Sequence, residues 1–153
     1  MAETLKSGNV PVLITNIEVL QMLEEKISKR RAEESDQDTP TTTKAGVLHH
    51  RNWIEEKVYE YIKSSPCGSV NIKPIPQLVS TLKRPKRAAT KEDGSHGEQR
   101  QQGFGLTDGE TLQILNSMPS VLAELYLIIE DLDSRLTEEE QTQLLELVEM
   151  YRQ

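Results

Sequence analysis

Aromatic side chains are scarce: the 153-residue chain has one phenylalanine, one tryptophan and four tyrosines, so its core must be aliphatic. The single cysteine, Cys67, excludes an internal disulfide and suits a reducing compartment. Together with His49, His50 and His96 it falls into no metal-ligand spacing, so no structural zinc site is expected. A phosphate loop is missing too, because Gly103-Phe104-Gly105 has neither the lysine nor the preceding strand that a P-loop needs. No apolar run approaches the roughly 20 residues of a membrane helix. Met1 to Val10 is polar and the run Val10 to Ile14 is short, which predicts no secretory signal. Glu130, Asp131 and Asp133 cluster without a base or metal partner and read as a solvated helix face. The sequence thus predicts no enzyme, catalytic residue, metal or cofactor.

Charge is unevenly spread. Net charge is −7, but from Phe104 onward eleven acids meet two bases, giving −9, while residues 1–103 carry +2. The C-terminal part is therefore poorly suited to gripping phosphates. Hydrophobic content is 35%, low enough to predict that part of the chain builds no core.

Helical signals dominate. Thr107 with Glu110, and Thr137 with Glu140, are spaced as capping boxes, in which each side chain takes an orphan amide of the first turn. Pro119 separates the first of these helices from a second, opened by Pro119 or Ser120. Leu112, Ile114 and Leu115 give the first a core stripe. Val121, Leu122, Leu125, Ile128, Ile129 and Leu132 serve the second. Leu144, Leu145, Leu147, Val148 and Tyr151 serve the third. Asp131 and Arg135 form an i,i+4 surface pair on that reading.

Upstream, Val10 to Thr15 is a short β-branched run, either one strand needing a partner's sheet or an extended lead-in. Thr15 and Glu18 repeat the capping spacing. Ile17, Leu20, Leu23 and Ile27 then form a stripe that packs on its own domain or on a partner. Glu33 to Ala45 has linker composition. Val47 to Ser64 returns to helix, with Ile54, Val58, Tyr61 and Ile62 sharing a face, and Leu48, Trp53 or both extending it. Pro74 and Pro76 open a short helix with Leu78, Val79 and Leu82. Residues 84–103 have almost nothing to bury and read as a disordered insertion. The run Lys83-Arg84-Pro85-Lys86-Arg87, with Lys83, Arg84, Lys86 and Arg87 charged, is similar to a nuclear-import signal or is simply a basic linker.

Several of these stretches also carry a resemblance. Leu-Gln-Ile-Leu-Asn-x-x-Pro (Leu112 to Pro119), Leu-Tyr-x-Ile-x-Glu-x-x-Asp-x-Arg (Leu125 to Arg135) and the acidic final helix resemble the small stalk subunits of RNA polymerases. The opening Asn-x-Glu-Val-Leu (Asn16 to Leu20) is similar too, although the family usually has an aromatic at the position of Ile17. Tyr-Ile-x-x-x-Pro-Cys (Tyr61 to Cys67) points to the RNA polymerase III branch, also known as the calcitonin-gene-related-peptide receptor component family. The resemblance implies an all-α fold, a small helical bundle like the helicase-and-RNase-D C-terminal domain. It implies an N-terminal partner-docking segment at 1–34, and composition then sets a linker at 35–46 and a bundle at 47–153 interrupted at 84–103. It implies a nuclear, non-catalytic subunit that supports initiation, beside the larger OB-containing stalk subunit, the polymerase core and initiation factors. Val12, Leu13, Ile14, Ile17, Leu20 and Leu23 are the residues expected to bind the larger subunit. The alternative is a free-standing helical module that binds nucleic acid or protein.

Overall fold

The computed structural model describes residues 12–34, 45–86 and 103–152. Seven α-helices and no strand occur among the described residues: α1 (Asn16–Glu34), α2 (Ala45–Ser64), α3 (Ile75–Lys83), α4 (Asp108–Ser117), α5 (Leu122–Ile128), α6 (Leu132–Arg135) and α7 (Glu138–Tyr151). The all-α expectation holds. Most of the expected linker and insertion, 35–44 and 87–102, lies outside the described residues, as does Arg87.

Local chemistry sets the helix starts. Thr15 N–H donates to Glu18 Oε2 (2.7 Å) and Glu18 N–H returns to Thr15 Oγ1 (3.2 Å). The same reciprocal pair opens α4 at Thr107 and Glu110, and α7 at Thr137 and Glu140. Each box satisfies two donors that a helix start otherwise leaves unpaired. Of the run Val10 to Thr15, read from sequence as a strand or a lead-in, residues 12–15 are described and belong to no helix or strand.

α1 and α2 run antiparallel. Lys26 and Arg30 reach Glu55 (2.5 and 3.0 Å), and Arg30 also reaches Glu56 (3.3 Å). The N-terminal end of α1 meets the one-turn 3-10 helix Pro66–Ser69 that follows α2. Asn16 N–H donates to Asn116 Oδ1 at the end of α4 (2.8 Å), and α1 packs along α4. Ile17, Leu20 and Ile27 are thereby buried. The stripe read as partner-facing is thus largely seated in the chain's own core. Periodicity shows that a stripe exists but not which surface receives it.

After α3 the chain leaves and returns at one point. Phe104 N–H donates to the Thr81 carbonyl (3.3 Å), Gly105 N–H to that of Arg84 (2.8 Å) and Leu106 N–H to that of Leu82 (2.9 Å). Leu82, Phe104 and Leu106 are buried beneath this neck. A Cβ built on Gly103 would lie 2.1 Å from the Arg84 carbonyl oxygen and 2.5 Å from Arg84 Cβ. Gly103→Ala is therefore expected to cost about 1–3 kcal/mol through backbone displacement. Gly109, inside α4, has nothing within 4 Å of such a Cβ. Gly109→Ala is expected to be neutral or to stabilise by up to about 1 kcal/mol. Thermal melts of the two variants check this, and a Gly103→Ala protein as stable as its parent would contradict so tight a neck.

The C-terminal third departs from its sequence reading. The expected second helix is two helices, α5 and α6, parted by Asp131 in a left-handed conformation (φ 49°, ψ 43°). Asp131 and Arg135 consequently do not form an i,i+4 pair on one helix. Arg135 turns inward, donating to both carboxylate oxygens of Glu110 and to the carbonyls of Gly105 and Glu130. The helix break supplies the Glu130 carbonyl and leaves Glu130 N–H to reach Glu110 Oε1 (3.4 Å). Leu125, Ile129, Leu132 and Leu136 close the core against Ile114, Leu115, Leu144 and Val148.

Candidate partner-docking surface

α2 is the element whose apolar content exceeds what its neighbours cover. One side is held against α1 by the Glu55 cluster and by buried Ile62. The Lys26 ammonium hydrogen-bonds Glu55 and holds its carboxyl below the usual range against a desolvation cost, with Arg30 and Arg51 adding to the effect. That cluster fixes the rotation of α2. Ile54, Val58 and Tyr61, at i, i+4 and i+7, then point away from the bundle, and Trp53 flanks them. Tyr61 is 73% exposed. Ile54, Val58 and Tyr61 were expected to share a face with Ile62, and of the four only Ile62 is buried. The sequence carried a signal of this. Trp53 and Ile62 lie on opposite sides of a helix with about 3.6 residues per turn. An apolar arc that wide exceeds what one neighbouring helix can bury.

A second exposed apolar stretch precedes α1. Val12 is 91% exposed, and Leu13 and Ile14 are about half exposed. Because α1 and α2 are antiparallel, these residues enter at the end of the pair where α2 finishes with Tyr61. Of the six residues expected to bind a partner, the structure therefore presents Val12, Leu13 and Ile14. It half-buries Leu23 and buries Ile17 and Leu20.

Within the basic run, Lys83 and Lys86 are engaged rather than unpacked. Lys83 ends α3 and pairs with Asp108 (2.5 Å). Lys86 Nζ reaches Glu140 Oε2 (2.5 Å) and the Arg135 carbonyl (2.6 Å). The Lys86 hydrogen bond helps to hold the Glu140 carboxyl below its ordinary range, against the larger opposing effect of its burial. Arg84 lies in the neck, its carbonyl bonded to Gly105. A receptor reading this run as an import signal would have to open both lysine ion pairs first.

No group of three or more His, Cys, Asp or Glu residues is placed to hold a metal ion among the described residues. Cys67 is buried beside Ser65, whose Oγ lies 3.1 Å from its Sγ. No helix among the described residues is long and apolar enough to cross a membrane. What the molecule offers instead is apolar surface on a rigid helical frame.

Comparison with known proteins fits such a frame. The family described as RNA polymerase Rpb4 matches residues 13–152. A curated relative, the DNA-directed RNA polymerase III subunit rpc9 of Dictyostelium discoideum, is 32% identical over 128 residues, spanning 84% of this chain and 76% of its own.

Proposed function

The chain belongs to the RNA polymerase Rpb4 family, and from that premise we propose that Val12, Leu13 and Ile14, together with Trp53, Ile54, Val58 and Tyr61, dock the larger stalk subunit of RNA polymerase III. The chain is a stalk subunit of RNA polymerase III, and its part is structural: it joins a partner and does no chemistry of its own. Its place of work is the nucleus, where it supports initiation through contacts of the heterodimer.

The observation that carries the docking reading is the uncovered stripe on α2. A Trp, a Tyr and two branched aliphatics on one rigid helix are the composition of an interface centre. Each large aliphatic that becomes buried contributes about 1.5–3 kcal/mol before association costs are subtracted. Surface carboxylates placed in that stripe would be desolvated without partners. Ile54→Asp with Tyr61→Asp is therefore expected to weaken binding to the larger stalk subunit by about 100-fold or more while leaving the melting temperature of the free chain unchanged. The test is calorimetric titration of the purified pair. Parental affinity in the double variant would place the interface elsewhere.

A further inference from the structure

The C-terminal third carries a second uncovered apolar surface, on elements that do not pack extensively against α2. α5 and α7 pack against each other but leave a cleft of about 600 Å³ between them. Leu122, Tyr126 and Leu145 supply its apolar lining. A smaller hollow of about 320 Å³ shares Tyr126 and Asp133 with the cleft and runs toward Asp131 and Ser134.

The polar rim has one sign of charge. Asp133 and Glu138 line the cleft. Neither forms an ion pair among the described residues. Asp133 Oδ1 accepts from the Tyr126 hydroxyl (2.6 Å) and from Gln141 Nε2 (3.2 Å), which fixes the carboxylate at the mouth. The hydrogen bond to Asp133, and the charges of Asp133 and Glu138, push the Tyr126 phenol above its ordinary value. Both carboxylates therefore act on the same small volume. The two bases of this third are committed elsewhere, Arg135 to Glu110 and Arg152 to Glu149. Of the eleven acids from Phe104 onward, Asp108 and Glu140 are met by Lys83 and Lys86 from earlier in the chain, which leaves Asp133 and Glu138 at the cleft.

We propose that the α5–α7 cleft docks a short basic amphipathic segment of another protein, its apolar side chains on Leu122, Tyr126 and Leu145 and its lysines or arginines against Asp133 and Glu138. The apolar lining selects for amphipathic character, and the rim selects for positive charge while repelling acidic segments. An acidic helix or a nucleic acid would meet like charge here.

The test uses the full chain and labelled synthetic peptides of about three helical turns. One has leucines at i, i+3, i+4 and i+7 and lysines elsewhere, one has the same composition scrambled, and one carries glutamate in place of lysine. Fluorescence anisotropy should show saturable binding of the amphipathic lysine peptide alone. Leu122→Glu and Glu138→Lys, made separately, should each weaken it by at least about tenfold with unchanged melting. Nuclear magnetic resonance shifts should fall on α5 and α7. Equal binding of the scrambled peptide would show diffuse attraction and overturn the proposal. So would full binding by both variants, or shifts centred on α2.

Discussion

Replacing Arg135 by methionine is expected to destabilise the chain by about 3 kcal/mol, the scale for removing one partner of a buried charge pair. Glu110 is 8% exposed, and Arg135 is its only ionic partner among the described residues. What would remain are the Thr107 N–H (2.8 Å) and the long contact from Glu130 N–H (3.4 Å). The carbonyls of Gly105 and Glu130 would lose a donor at the same time. A loss of this size lowers the melting temperature by about 10 °C.

The same pair predicts a pH dependence. The Arg135 hydrogen bonds lower the Glu110 pKa from 4.5 to about 2, with the Thr107 bonds assisting and burial opposing. A depressed carboxylate pKa means that the unfolded chain binds the proton more readily. The stabilisation is thus complete above about pH 4.5 and is lost as pH falls toward 2. The gap between the parent and Arg135→Met should be full at pH 7 and should narrow through that window. Arg135→Met with Glu110→Gln, which leaves no buried charge, should recover part of the loss. Urea melts from pH 7 down to pH 2 measure all three proteins. A gap that is absent, or constant across the series, would contradict the latch.

Leu20→Asp and Leu13→Asp should separate folding from docking. Leu20 is 6% exposed and packs in the core with Ile17 and Ile62. An aspartate there loses aliphatic burial and strands a carboxylate, with an expected cost above about 4 kcal/mol. Leu13 is 55% exposed on the chain leading into α1. Its replacement should change stability by no more than about 0.5 kcal/mol yet weaken the complex with the larger stalk subunit. Melts of the free variants, set beside titrations with the partner, give the comparison. If Leu20→Asp melts like its parent and fails only in binding, the α1 stripe faces the partner and not the core.

What could be read in the sequence divides along physical lines. Thr107 with Glu110, Thr137 with Glu140 and Thr15 with Glu18 were legible because a capping box is complete within four residues. Pro74 and Pro119 were legible for the same reason, since each acts on its own backbone. The recipient of each apolar stripe was not legible. Ile17 and Leu20 look the same in sequence whether they meet α4 or another protein. Ile54, Val58 and Tyr61 look like core until the Glu55 cluster fixes which side of α2 faces α1. Arg135 was the clearest miss. Its apparent neighbour was Asp131, four residues away, but the left-handed turn at Asp131 breaks the helix on which that pair depended. Its true partner, Glu110, lies 25 residues away and was already accounted for as a cap. Lys83 and Lys86 were missed likewise, because Asp108 and Glu140 come from beyond a segment that looked like a free loop.

Amide hydrogen exchange, followed by mass spectrometry on the chain alone and bound to the larger stalk subunit of RNA polymerase III, tests the central claim most directly. Binding should slow exchange in the peptides covering Val12 to Thr15 and Trp53 to Ile62, with α4 and α7 unchanged. Slowing confined to α5–α7, or no slowing at either predicted stretch in a complex that demonstrably forms, would contradict it.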